Sequence, residues 1–195
     1  MKRAVFLDKD GTLIPDIPYN VNPGLITLEQ GAEALSKLAD AGFRFVIISN
    51  QSGIARGYFS EEDMLAVQRK VETLLAEHRI SLDGFYYCPH HPEGNVMRYA
   101  RECDCRKPMP GMIRQAAAEL SIDLSRSWMI GDILNDVEAG KKAGCKTILI
   151  DNGNETEWML SDVREPDYKA RNLSHAVELI LKHGNNADEQ QLEKL

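Results

Sequence analysis

Five short apolar runs of strand type alternate with segments of helical periodicity, and this alternation constrains the fold more than any other feature of the chain. The apolar runs occupy residues 4–8, 43–49, 84–88, 128–132 and 146–151, and the helical segments occupy residues 29–41, 60–78, 111–120, 135–143 and 174–183. Strands joined by helices pair in parallel, and runs that are apolar on both faces are typical of buried strands. The sequence therefore predicts an α/β fold with a doubly wound, mainly parallel sheet.

The length of the chain favours one domain. It has 195 residues, of which 43% are hydrophobic and 27% are charged, which suffices for one well-buried core. We interpret residues 1–184 as a single domain and the polar residues 185–195 as a frayed tail. The connection at about 88–110 shows neither helical nor strand periodicity, and a loop of that length is usually functional or stabilised by a metal.

Charge and hydropathy exclude several classes of partner. Asp and Glu number 30 against 23 Lys and Arg, a formal charge of −7, so there is no basic footprint for nucleic acid. The apolar run after Arg3 is too short for a signal peptide, and no run approaches the length of a membrane-spanning helix. We therefore expect a cytoplasmic protein that binds neither nucleic acid nor membrane. A monomer is expected because no heptad pattern indicates a partner.

Two carboxylates follow the first apolar run. Asp8 and Asp10 are two residues apart, so their side chains project to the same side of an extended segment. Two like charges so close together favour a bound cation, and hard oxygen ligands favour Mg²⁺. A strand that simply ends in a polar turn at Gly11 would give the same string, so this segment alone leaves both interpretations open.

Two further apolar runs also end in polar residues. Ser49 closes the second run, Asp132 closes the fourth, and Asp136 follows four residues later. The carboxyl ends of parallel strands lie at one edge of the sheet, where ligands bind in folds of this kind. These groups are therefore expected to meet Asp8 and Asp10 in space.

A site built from these carboxylates suits phosphoryl transfer. Asp8, which is ionised near neutral pH, can attack phosphorus without a base. Asp10 can protonate the leaving alkoxide and then activate the hydrolytic water. We expect Mg²⁺ to be held by Asp8, the main-chain carbonyl of Asp10 and Asp132, with Asp136 ordering those ligands from behind.

Two other polar side chains fit the same chemistry. Ser49, with the backbone amides after it, can donate hydrogen bonds to the phosphoryl oxygens, and Lys107 can neutralise charge on the nucleophile and the phosphoryl group. Taken singly, Ser49 could be a strand-end cap and Lys107 a solvated charge.

Three of the four cysteines lie in the long connection, in two short clusters, the first of which also contains histidine. The four candidate ligands are Cys88, His90, Cys103 and Cys105. Thiolate and imidazole groups favour structural zinc over Mg²⁺ or Ca²⁺. By spacing His91 is also available as a ligand, and three buried thiols with two surface histidines are the alternative. Because Arg106 and Lys107 directly follow the last cysteine, a zinc ion here would fix where two cations point.

Four segments in this order resemble the motifs of the haloacid dehalogenase (HAD) superfamily of phosphatases. They are DKDGT at 8–12, ISNQ at 48–51, RKP at 106–108 and GDILND at 131–136. The resemblance implies a Rossmann-like core in which Asp8 forms an aspartyl-phosphate and Asp10 acts as the acid and base.

A narrower resemblance covers residues 4–151. YCPHHP at 87–92, CDCRKP at 103–108 and SNQSGIARG at 49–57 are similar to the heptose-1,7-bisphosphate 7-phosphatases of the histidinol-phosphatase-like branch. The resemblance implies an enzyme of heptose supply for lipopolysaccharide precursors, with Mg²⁺, Zn²⁺ and short loops in place of a large cap domain. It assigns contacts with the sugar phosphate to Asp16, Ile17, Pro18, Tyr19, Ser49, Asn50, Gln51, Ser52, Arg106 and Lys107.

Two positions leave the substrate open. Ile133 follows Asp132 where the heptose enzymes often carry Lys, so neither the anomer nor the presence of a second phosphate is settled. Arg56 is either a surface residue or a contact to a distal phosphate. The alternatives are a histidinol-phosphate phosphatase or another small sugar or alcohol phosphatase, a 3′-phosphatase of DNA ends, which the acidic charge disfavours, and a non-catalytic zinc-stabilised binding module.

Overall fold

A computed structural model of the protein describes residues 1–184, and within them six strands form one sheet. The strands are β1 (Ala4–Leu7), β2 (Arg44–Asn50), β3 (Gly84–Cys88), β4 (Trp128–Gly131), β5 (Lys146–Ile150) and β6 (Tyr168–Ala170). They lie in the order β3-β2-β1-β4-β5-β6, and each neighbouring pair is parallel. The predicted parallel α/β sheet is confirmed. The tail predicted at 185–195 lies outside the described residues.

Helices connect these strands on both sides of the sheet. They are α1 (Leu35–Asp40), α2 (Ser52–Arg56), α3 (Glu61–Glu77), α4 (Gly111–Leu120), α5 (Leu134–Ala143) and α6 (Leu173–Gly184), with short 3-10 turns at Pro23–Leu25, Ala32–Ala34 and Leu124–Arg126. Among the described helices, none is both long and apolar enough to cross a membrane.

Two described elements were not predicted, and one helix begins later than predicted. β6 has only three residues at the sheet edge, and α2 has only five, so neither is long enough to show periodicity. The helix predicted from residue 29 begins as a 3-10 turn after Gly31, whose φ of 92° breaks the helical run, and becomes α-helical only at Leu35.

Alternate residues of each central strand bury opposite faces of the sheet. In β1, Val5 and Leu7 pack into the cluster that contains α1, α3 and α6, whereas Phe6 packs into the cluster that contains α4 and α5. All four residues of β1 are fully buried. A strand covered on both faces has no solvent-facing side, which explains its unbroken apolar sequence.

The strand order sets the position of the first acidic segment. β1 lies between β2 and β4, with Leu7 in register with Ile47 on one side and with Ile130 on the other. The residues that follow these three strands therefore emerge side by side at one edge. Asp8 is placed there by its backbone N–H, which donates to the carbonyl of Ile130 at 2.9 Å.

The helix α3 begins with a reciprocal capping box. The Ser60 hydroxyl accepts from the backbone N–H of Asp63, and the Asp63 carboxylate accepts from the backbone N–H of Ser60 at 2.7 Å. We expect Ser60→Ala to destabilise the protein by about 1 kcal/mol, since one N-terminal amide loses its partner. A thermal melt checks this, with an expected decrease in Tm of about 2–4 °C. Ser60→Thr, which keeps the hydroxyl, is the control; equal loss in both variants would contradict the cap.

Candidate active site

Three buried carboxylates converge at the carboxyl edge of the sheet. Asp8 follows β1, Asp132 follows β4, and Asp136 lies in the first turn of α5. Each offers an oxygen within 4.8 Å of the others, and their exposures are only 7%, 4% and 0%. Three oxygen ligands so close together and so buried fit a hard divalent cation such as Mg²⁺.

Lys107 crosses from the long connection to the middle of this cluster. Its ammonium group forms ion pairs with Asp8 and, at 2.5 Å, with Asp136, and it donates to the carbonyl of Ile48 at 3.1 Å. The residue is only 3% exposed. One buried cation therefore compensates part of the charge of three buried acids.

The side chain of Asn50 fixes the backbone that carries Lys107. Its carbonyl oxygen accepts from the N–H of Lys107 at 3.0 Å, and its amide donates to the carbonyl of Lys107 at 3.1 Å. Asn50 was predicted only as a substrate contact. In the structure it also joins the end of β2 to the RKP segment.

Two glycines allow the acidic residues to approach so closely. Gly11 has a φ of +82°, and a Cβ there would collide with the carboxylate of Asp132; a Cβ on Gly131 would collide with that of Asp136. Any larger residue at either position would move a carboxylate.

Asp10 lies outside this group of three acids and is more exposed. Its side chain is 30% exposed, and it accepts from Lys9 at 2.5 Å and from the amide of Gln51 at 2.9 Å. The same amide donates to the hydroxyl of Ser49 at 2.8 Å. Asp10 is therefore held at the border between the buried cluster and the solvent, where a group that exchanges protons is needed.

A cavity of about 310 Å³ opens beside Asp10. It brings together most of the residues predicted to contact substrate, namely Asp16, Ile17, Pro18, Tyr19, Asn50, Gln51 and Ser52. Ser49 is buried behind this cavity. Arg106 and Lys107 instead line a separate cavity of about 660 Å³ along the long connection.

The second predicted cluster also forms. The sulphur of Cys105 lies 2.9 Å from that of Cys88 and 3.2 Å from that of Cys103, and Nδ1 of His90 lies 3.3 Å from it. Tetrahedral zinc with sulphur at about 2.3 Å needs donor atoms about 3.7 Å apart, so these residues fit zinc with slight expansion. His91 turns elsewhere: its Nδ1 accepts from the N–H of Glu93, and its Nε2 lies 3.3 Å from Arg56.

Known proteins share both this fold and long stretches of sequence. A D-glycero-beta-D-manno-heptose-1,7-bisphosphate 7-phosphatase of Pasteurella multocida is 48% identical over 155 residues, which is 78% of this chain and 84% of that protein. The protein of the same name from Escherichia coli K12 is 38% identical over 172 residues, 83% of this chain and 90% of that protein. A family model described as HAD-hydrolase-like matches residues 104–176.

This chain belongs to the heptose-bisphosphate phosphatase family of HAD-like hydrolases. Among solved structures, a D,D-heptose 1,7-bisphosphate phosphatase from B. bronchiseptica complexed with magnesium and phosphate superposes with a TM-score of 0.79 at 30% identity, covering 92% of this chain and 98% of that one. A HAD-like phosphatase from Mesorhizobium loti gives 0.78 at 34% identity, covering 92% and 87%. The resemblance inferred from the motifs is confirmed.

Ile133 and Arg56, whose roles the sequence left open, both have defined contacts in the structure. Ile133 is the N-cap residue of α5. Its backbone N–H donates to the carboxylate of Asp136 at 3.3 Å, so Ile133 contacts the acidic cluster through its main chain. Arg56 is half-buried at the end of α2 and contacts His91. It joins α2 to the long connection, so the interpretation as a plain surface residue is too simple.

Two polar residues of this site, Lys9 and Asn154, were not predicted from the sequence. Lys9, between the two acids of the first motif, is only 1% exposed, and its ammonium group donates to the carboxylate of Asp10. Its place between a buried strand and two acids was the feature of the sequence that could have indicated this role. Asn154 donates to Oδ2 of Asp132 at 2.8 Å, while Thr12 donates to Oδ1 at 3.0 Å. The polar segment around Asn154 carries no recognisable motif.

Burial alters the protonation of the cluster. It raises the pKa of Asp8 to about 7, against the opposing effect of Lys107, and that of Asp132 to about 6, with a further increase from Asp8. Burial also raises the pKa of Asp136. Burial lowers the pKa of Lys107, but Asp136 and Asp8 more than compensate, so its pKa lies above the usual value and it stays charged.

These shifts make the stability of the metal-free protein depend on pH. A carboxyl whose pKa is raised by folding stabilises the fold below its unfolded pKa, near 4, and loses that contribution as the pH rises through the folded value. With folded pKa values of about 7 for Asp8 and about 6 for Asp132, we expect Tm to fall between about pH 5.5 and pH 7.5. The increased pKa of Lys107 acts only at much higher pH.

Added Mg²⁺ should counteract this loss because it binds the ionised carboxylates. Calorimetry at both pH values, with and without Mg²⁺, should therefore show the larger increase in Tm at the higher pH. Asp132→Asn is the matched variant, with a shallower fall expected without the metal. A metal-free Tm that is equal at both pH values would contradict the assignment.

Proposed function

We propose that this protein is a Mg²⁺-dependent phosphatase that removes the 7-phosphate of D-glycero-D-manno-heptose 1,7-bisphosphate. The observation that carries the proposal is the buried set of Asp8, Asp132, Asp136 and Lys107, open beside Asp10 to a cavity lined by polar loops. The relatives that are 48% and 38% identical bear the name of this activity.

The residues at the edge of the sheet fit Mg²⁺. Asp8, Asp132 and the main-chain carbonyl of Asp10 are the proposed ligands, and Asp136 orders them through Lys107. Bound Mg²⁺ would supply positive charge for the phosphoryl oxygens and favour the ionised form of the carboxylates.

Asp8 is the proposed nucleophile. Its oxygen forms a bond to phosphorus while the bond between phosphorus and O7 of the sugar breaks, and the electron pair leaves with O7. Asp10 gives its proton to that oxygen. Asp10 then accepts a proton from water, which attacks the phosphorus and releases Asp8 and inorganic phosphate.

Lys107 and Ser49 are proposed to hold the transferring group. The ammonium of Lys107 contacts Asp8 already in the resting protein, so it stands where charge is redistributed in the transition state. Ser49 is held by the amide of Gln51, which also contacts Asp10. That amide therefore couples the orientation of the acid and of the hydroxyl.

The rest of the substrate is proposed to occupy the cavity beside Asp10. Its polar lining, with Asp16, Tyr19 and Ser52, suits sugar hydroxyls. Arg106, which lines the cavity along the long connection, is the proposed partner of the second phosphate because a guanidinium binds phosphate through two donors.

We propose structural zinc at the cysteine and histidine cluster. The donor distances of 2.9–3.3 Å around Cys105 support it. Cys105 is two residues before Lys107, so metal binding there would restrict a long connection that carries the catalytic cation.

We further propose that residues 1–184 form one domain, because one sheet and the segments that follow its strands carry the described site. Action as a monomer in the cytoplasm is proposed from the absence of a heptad pattern in the sequence and from the phosphorylated sugar substrate.

Asp8→Asn is expected to abolish turnover, with a loss in kcat of at least about 10³-fold, because an amide oxygen cannot form the phosphoryl intermediate. Phosphate release from the heptose bisphosphate in Mg²⁺ buffer measures it. The variant changes one atom of a buried side chain, so a thermal melt serves as the folding control. Near-normal turnover in the folded variant would refute the nucleophile.

The substrate is tested on the unaltered enzyme. We expect kcat/KM for the heptose bisphosphate to exceed that for histidinol phosphate by at least about 100-fold, which is about 2.7 kcal/mol. The product should be the 1-phosphate. A preference for histidinol phosphate would overturn the substrate but leave the phosphatase chemistry intact.

Cys103→Ser is expected to remove bound zinc and lower Tm, since a hydroxyl is a poor zinc ligand. Metal analysis of purified protein should find one zinc per chain in the wild type and little in the variant. Cys145→Ser, at a buried cysteine outside the cluster, is the control and should keep the metal. Wild-type protein without zinc would contradict the site.

A further inference from the structure

The segment between β5 and β6 contacts the acidic site through three polar side chains. Asn152 donates to the carbonyl of Gly11 at 2.8 Å, Asn154 donates to Asp132 at 2.8 Å, and Glu155 accepts from the N–H of Leu134 at 2.6 Å. These three partners belong to the turn after β1, the end of β4 and the first turn of α5. The segment therefore joins the three parts of the chain that carry the carboxylates.

The contact of Asn154 is directed at a single carboxylate oxygen. Thr12 donates to Oδ1 of Asp132 and Asn154 donates to Oδ2, so the carboxylate is fixed from both sides. Asp132 is 4% exposed, whereas Asn154 itself lies at the surface. The orientation of a buried acid thus depends on a residue that reaches it from outside.

Asn154 is itself held in place. Its N–H donates to the side-chain oxygen of Asn152 at 3.2 Å, which closes a tight turn. Its amide also lies against Gly11, where a Cβ would come within 2.6 Å of Nδ2. The glycine of the first motif therefore makes room for two groups, the carboxylate of Asp132 and the amide of Asn154.

We propose that Asn154 is a positioning residue for the magnesium site, which holds Asp132 in the orientation that the metal requires. The role rests on the proposed function, because it presumes that Asp132 binds Mg²⁺. A carboxylate fixed by two neutral donors keeps its charge available and loses less rotational freedom on binding the metal. Hydrogen-bonded partners behind metal ligands typically change metal affinity by about 10–100-fold when they are removed.

The direct test measures metal binding to Asn154→Ala. Electron paramagnetic resonance with Mn²⁺ in place of Mg²⁺ should show about 10-fold weaker binding than wild type. In the phosphatase assay, the Mg²⁺ concentration for half-maximal activity should rise by a similar factor, while kcat at saturating Mg²⁺ changes by less than about 2-fold. A merely structural defect would lower kcat or Tm without this separation.

Thr156→Ala is the matched control, since Thr156 is an exposed residue of the same segment; it should leave Mn²⁺ affinity unchanged. Equal Mn²⁺ affinity in Asn154→Ala and wild type would overturn the role of Asn154 and leave the magnesium site standing. Wild-type protein that binds no Mn²⁺ would overturn the proposed site itself, together with this role. A Tm of the metal-free Asn154→Ala variant within about 2 °C of wild type shows that the fold is intact.

Discussion

The buried ion pairs of Lys107 with Asp8 and Asp136 are the interactions on which the site depends. Lys107 is only 3% exposed, and burying its ammonium group without a partner would cost several kcal/mol. The lysine can therefore be buried only beside carboxylates. Equally, the carboxylates repel one another and need a cation. Since Asp132 remains without a cationic partner among its described contacts, the cluster keeps excess negative charge, which is the electrostatic condition for binding a divalent metal.

Lys107 reaches this position from a connection with little regular structure, so other groups must hold it there. Asn50 binds both backbone polar groups of Lys107, and the last residue of the cysteine cluster, Cys105, lies two residues earlier in the chain. These restraints act on the backbone, and the ion pairs act on the side chain. The cysteine and histidine cluster therefore helps to place Lys107, although none of its residues lies among the buried carboxylates.

The sequence predicted the parts that depend on local pattern. Apolar runs ending in Asp8, Ser49 and Asp132 predicted the parallel sheet and the meeting of strand ends, because strands joined by helices pair in parallel and end at the same edge. It could not predict Asn154, whose partner is 22 residues away, because that contact exists only after β5 and the turn following it have folded. Likewise β6 is a strand only because β5 offers it a free edge.

Strand ends and loops also form different parts of the site. Asp8 and Asp132 directly follow buried strands, where packing against both faces of the sheet leaves each side chain little freedom. The cavities are lined instead by loops, with Tyr19 at a φ of +55° and Arg106 in the long connection. A change such as Ile133 alters the surroundings of the site while its backbone N–H still contacts Asp136. Members of such a family can therefore keep one reaction while their substrates diverge.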